Sequence, residues 1–149
     1  ASLGIRNVSF MTALADWAVE SSILCKFNTQ ELANTAWAYA TLNCEHLRLM
    51  EGIAKATFNQ QHLLNAQDIA NLSWAYAVLK ILDYDLMYLL AEAGCHPEVM
   101  QTFTSQGIAN TVWAFATLEV LHTKFLDGLA ERAQHPALLK TFKYSSGLA

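Results

Sequence analysis

At 149 residues the chain has room for one ordinary domain or a short run of repeats. It is 54% apolar with 15% charged residues and a mean hydropathy of +0.21, where ordinary domains carry roughly 25% charged residues, so its helices bury more than one side or leave faces for something else to cover. With 9 Lys and Arg against 13 Asp and Glu, the net charge of −4 argues against a broad electrostatic grip on nucleic acid.

A membrane span is excluded by the longest uncharged stretch, residues 99–118. It is punctured by Gln101, Thr102, Thr104, Ser105, Gln106, Gly107 and Asn110. The opening "ASLGIRNVSF" has no basic region leading into an apolar core, so we expect no signal peptide. The 3 cysteines, Cys25, Cys44 and Cys95, form an odd set without a CxxC pair, as expected of free thiols in a reducing compartment.

In chain order, residues 7–26 carry "FMTALA" and read as helix B of a preceding repeat. Repeat 1 (27–63) starts with Asn28 three residues before Glu31, a capping-box spacing, then "ANTAWAYATL" and "LMEGIA". Repeat 2 (64–102) has Asn65 before Asp68, then "ANLSWAYAVL" and "LMYLLA". Repeat 3 (103–141) has Thr104 before Gly107, keeping the cap without the box, then "ANTVWAFATL" and "FLDGLA". Residues 142–149 resemble the start of a fourth repeat.

Two ladders hold this register. Trp37, Trp74 and Trp113 are separated by 37 and 39 residues; Ala15, Ala54, Ala91 and Ala130 by 39, 37 and 39. Such a period marks a solenoid or related array. Each unit is a pair of helices, A followed by B, with apolar residues in B at i, i+3 and i+4, as in Leu86, Leu89 and Leu90. "CHPEVMQTF" and "QHPALLKTF" place proline at the first position of a short helix after B. No polar capping repeat is evident, so further repeats or protein subunits are expected to cover both ends.

Each indole buries roughly 150–250 Å² when packed. We therefore read Trp37, Trp74 and Trp113 as the structural core of the repeats, with base-stacking platforms as the alternative. Asn34, Asn71 and Asn110 sit inside helix A, where Asn is a mediocre helix former. They read as a hydrogen-bonded ladder between repeats, or else as amides lining a groove. Positions that vary between repeats (Glu31, Asp68 and Gly107; Thr35, Leu72 and Thr111) are candidates for recognition, although surface drift leaves the same pattern.

The phrases "QELANTAWAYATL", "QDIANLSWAYAVL" and "QGIANTVWAFATL" resemble the octotricopeptide-repeat proteins and the related repeats that accompany RAP domains in algae and apicomplexan relatives. The likeness covers nearly the whole chain. It implies an α-α superhelix with right-handed stacking, in chloroplast or mitochondrion, binding single-stranded RNA along the concave face of helix A. By that resemblance the RNA contacts would come from Glu31, Asn34, Thr35, Asp68, Asn71, Leu72, Gly107, Asn110 and Thr111. Three modules at roughly 1–3 kcal/mol per stacked base supply about 3–9 kcal/mol before ordering costs, so this segment is expected to act within a longer array. A scaffold subunit without RNA contact is the alternative.

No chemistry of catalysis emerges. The five histidines form no HxxxH or HExxH pattern, Cys44-x-His46 and Cys95-His96 lie in different repeats, and neither a phosphate loop nor a GxSxG elbow occurs. Asp83 and Asp85 read as a solvated connector. We expect no cofactor, no metal and no enzymatic activity.

Overall fold

The computed structural model describes residues 8–145, and every regular element among them is helical. Helix α1 (Val8–Glu20) stands alone; α2 (Thr29–Thr41) pairs with α3 (Leu47–Asn59), and α4 (Ala66–Val78) with α5 (Tyr84–Gly94). After the short α6 (Pro97–Met100) come α7 (Ser105–Thr117), α8 (Thr123–Ala133) and α9 (Pro136–Ser145). The A helices are α2, α4 and α7; α1, α3, α5 and α8 are the B helices. The chain is an all-α helical-repeat solenoid.

Each A helix starts where the sequence says it does. Asn28 Oδ1 accepts from the Glu31 amide at 2.8 Å and Glu31 Oε2 accepts from the Asn28 amide at 2.8 Å. Asn65 and Asp68 repeat the exchange at 2.9 and 3.4 Å. Thr104 Oγ1 accepts from the Gly107 amide at 3.1 Å, and glycine has no side chain to return the bond.

The A helices end by a device that the sequence hides. Asn43, Lys80 and Glu119 follow the C-caps with φ of 52°, 56° and 56°. The amides of Cys44, Ile81 and Val120 then donate to the carbonyls of Tyr39, Tyr76 and Phe115, each at 2.9 Å. This is a Schellman closure in every repeat. It turns the chain toward helix B and buries Cys44 and Val120 beneath the turn.

Within a repeat, Leu32, Ile69 and Ile108 and the B-helix residues Ile53, Leu90 and Leu129 are buried. Between repeats, helix A carries small residues. Ala33, Ala36 and Ala40 on α2, and Ala70, Ser73 and Ala77 on α4, are buried and let neighbouring A helices approach closely. The buried Tyr39 hydroxyl donates to the Met11 carbonyl of α1 at 2.7 Å, and Tyr76 donates to Met50 of α3 at 2.5 Å, tying each A helix to the preceding B helix. Burial pushes the Tyr76 hydroxyl far above the ordinary phenol range, so it stays protonated and donating. Phe115 fills that position in repeat 3 and joins an edge-to-face cluster with Phe125 and Phe103.

Helix α4 packs along its length against both α2 and α7, while successive B helices meet more sparsely. Close spacing in one layer and wide spacing in the other bend the array, so the A helices form its inner layer. At the far end, α9 runs unbroken from Pro136 to Ser145. The fourth repeat expected over 142–149 thus falls partly inside this helix, and residues 146–149 lie outside the described chain.

Candidate functional site

The inner layer presents a row of polar and aromatic side chains. Gln30, Asn34 and Trp37 on α2 are spaced i, i+4, i+7, as are Gln67, Asn71 and Trp74 on α4 and Gln106, Asn110 and Trp113 on α7. All nine are exposed or half-buried. A cleft across the three helices is lined by Asn34, Trp37, Gln67, Asn71, Gln106 and Asn110. Gln67 Nε2 donates to Asn71 Oδ1 at 2.9 Å within α4, a bond that does not engage the Asn71 amide N–H groups or the Gln67 carbonyl oxygen. The ring centroids of Trp37 and Trp74 lie 6.3 Å apart with planes tilted by 32°.

The indoles do not form the core. Trp37 and Trp113 are 46% and 47% exposed, and Trp74 packs only partly against the core. Two residues further along helix A, Tyr39, Tyr76 and Phe115 occupy the buried position, because 200° of helical rotation carries them to the opposite side. The asparagines also stand on the open face; the hydrogen bond made by Asn71 stays within its own helix.

The variable positions move the other way. Residues 31, 35, 38 and 42 do share a face, but it is the face that each A helix turns toward the preceding one. Asp68, Leu72 and Thr111 are buried there, and Gly107 lies 3.8 Å from Ala70 Cβ when a Cβ is placed on it. Gly107 lines the cleft with backbone alone. On α2 the described residues place no A helix in front, so Glu31 is exposed and Thr35 half-buried, with the Thr35 hydroxyl donating to the Glu31 carbonyl at 2.7 Å. Glu31 and Asp68 are both engaged in capping boxes. No Lys or Arg lies on any of the three A helices.

A model of the RNA-editing substrate-binding complex 6 protein family matches residues 1–142. The chain belongs to this family. Comparison with curated proteins returned no match. The RNA-editing substrate-binding complex 6 proteins are part of an RNA-editing substrate-binding complex, so the repeat array is an RNA-associated helical module or complex subunit. This is a coarser assignment than octotricopeptide repeat.

Polar chemistry on the outer layer is structural. His46 Nδ1 caps α3 by accepting from the Leu49 amide at 3.1 Å, and His122 Nδ1 caps α8 by accepting from Phe125 at 3.2 Å. With Nδ1 accepting, the proton resides on Nε2, which faces Asp16 Oδ1 at 3.0 Å and Glu92 Oε1 at 2.7 Å respectively. At the intervening rung the charges are exchanged: Asp83 caps α5, and Lys55 stands at the position of Asp16 and Glu92. Sequence reasoning took Asp83 for a solvated connector and missed these caps, because histidine is an uncommon N-cap. Among the described residues, no three His, Cys, Asp or Glu side chains gather to hold a metal ion, and no helix is long and apolar enough to cross a membrane.

Proposed function

We propose that this chain is a non-catalytic module that contacts single-stranded RNA through its inner face, within an RNA-editing substrate-binding complex of the mitochondrion. The observation that carries this reading is the Gln-Asn-Trp row. Three successive A helices bring the same three side chains, in the same order, to one open face. Amides hydrogen-bond base edges and indoles stack on base faces, which is how single strands are recognised. Family membership supports the ligand class. Of the two organelles that the sequence resemblance allowed, RNA editing favours the mitochondrion, and nothing supports the chloroplast.

A scaffold role has its own support. Ala109, Val112 and Ala116 on α7 are exposed, although their counterparts on α2 and α4 are buried beneath the next A helix. Leu14 on α1 is 41% exposed where Ile53, Leu90 and Leu129 are buried. Partner subunits or further repeats fit such surfaces. Ultraviolet cross-linking of RNA to the assembled complex, read by peptide mass spectrometry, separates the two. Adducts on the peptides bearing Trp37, Trp74 or Trp113 are expected. Adducts confined to other subunits refute RNA contact by this face.

A further inference from the structure

The geometry points to Trp37 and Trp74 as a clamp that takes a single nucleobase between their rings, with the sugar-phosphate directed away from the protein. This inference rests on the RNA reading above and goes further, by naming which part of the nucleotide is held and where.

A base sandwiched between two rings needs them about two stacking steps apart, each roughly 3.4 Å. The 6.3 Å between these centroids is an upper limit on the gap between the rings, so admitting a base requires them to part by at least about 0.5 Å and to close the 32° tilt. Trp74 is the inner jaw, since it packs against the core; Trp37, 46% exposed, is the outer jaw and the one that would turn to admit a base. Trp113, on the next rung and 47% exposed, pairs with no other ring among the described residues and so has no second jaw. Beside the clamp, Asn34, Asn71 and Gln67 supply donors and acceptors to a base edge. No Lys or Arg stands on the three A helices, so phosphates find no counter-charge on this face. RNA contact on this face would therefore fall on the bases.

The test uses the chain and a fluorescein-labelled, mixed-sequence, single-stranded RNA of about twelve nucleotides, with anisotropy read at about 50 and about 300 mM salt. Trp37→Ala is expected to weaken binding about tenfold or more, Trp113→Ala distinctly less, and Trp37→Tyr to restore most of the affinity. The affinity should change little between the two salt conditions, because few counterions are released. Melting curves of all three variants check that the fold is retained. Equal losses for Trp37→Ala and Trp113→Ala, no loss for either, or a steep salt dependence would overturn the clamp while leaving RNA binding itself standing. If the unaltered chain ignores the RNA in both salts while a protein partner shifts its indole emission, the RNA reading fails and the clamp with it.

Discussion

The three Schellman turns supply a test with its own internal control. Asn43, Lys80 and Glu119 occupy equivalent positions with φ between 52° and 56°, in the left-handed region. An ordinary L-residue loses about 1–2 kcal/mol there from the clash of its Cβ with the following carbonyl, whereas asparagine tolerates the conformation better. Glycine removes the clash but sacrifices about 0.5–1 kcal/mol of unfolded-chain freedom. The balance is a gain of about 0.5–1 kcal/mol for Lys80→Gly and for Glu119→Gly, and close to nothing for Asn43→Gly. In a chain of this size, 1 kcal/mol moves the melting temperature by about 2–4 °C. The two glycine gains should add, because the turns lie in different repeats. Circular dichroism at the helix band, followed through heat and urea, measures the parent, the three single variants and the Lys80→Gly, Glu119→Gly double variant. If Asn43→Gly gains as much as the others, or if Lys80→Gly destabilises, the αL strain assigned to these turns is wrong.

Three other substitutions follow from particular contacts. Gly94→Ala should destabilise by about 1–3 kcal/mol in urea titration, although helix propensity alone favours alanine by about 1 kcal/mol; the new Cβ would stand 2.3 Å from Phe125 Cε2, on a fully buried ring. Ser73→Ala should stabilise by about 1 kcal/mol, since the Ser73 hydroxyl is buried with no partner and repeat 1 already has Ala36 there; a loss would show the hydroxyl to be paired in solution. Burial raises the Asp68 carboxyl above its ordinary 3.8, offset in part by bonds from the Thr29 hydroxyl and the Asn65 amide. The folded state then holds that proton more tightly than the unfolded state, so this group's stabilising contribution is complete below 3.8 and is lost as pH rises through the raised value. Asp68→Asn should accordingly melt higher than the parent near pH 7, and the gap should close on acidification to about pH 4. A gap independent of pH would place the effect elsewhere.

The repeats, the hairpin order and the starts of the A helices were all legible in the sequence, because Asn28 with Glu31 and Asn65 with Asp68 are local signals between residues three apart. The ends of the same helices were not. Lys80 and Glu119 carry no mark of a left-handed residue, and their conformation is imposed by burying Ile81 and Val120 against the repeat. The side of helix A that faces out was misread for a related reason. Tryptophan and leucine weigh equally as apolar in a periodicity, so the indoles were assigned to the core; tyrosine, with a hydroxyl to satisfy, is the residue buried, because a carbonyl of the preceding helix lies in reach.

The inner face can now be judged by what the fold requires of each position. Seam positions must be small, as Ala33 and Ala70 are, or the A helices could not approach. Positions aimed at helix B must be large and apolar, as Ile69 and Tyr76 are. The open stripe has neither obligation. Stability alone would favour alanine, glutamate or lysine there, since asparagine costs helix propensity and a half-exposed indole keeps apolar surface in water. Three helices nonetheless carry glutamine, asparagine and tryptophan in one register, at the positions where folding would least select them. The proposed contact accounts for a residue set that the fold disfavours and that nonetheless recurs in three repeats. On the proposed reading the absence of cations divides the work: with a net charge of −4 and no Lys or Arg on the three A helices, this face would hold bases, and the phosphates would find their counter-charges elsewhere in the complex.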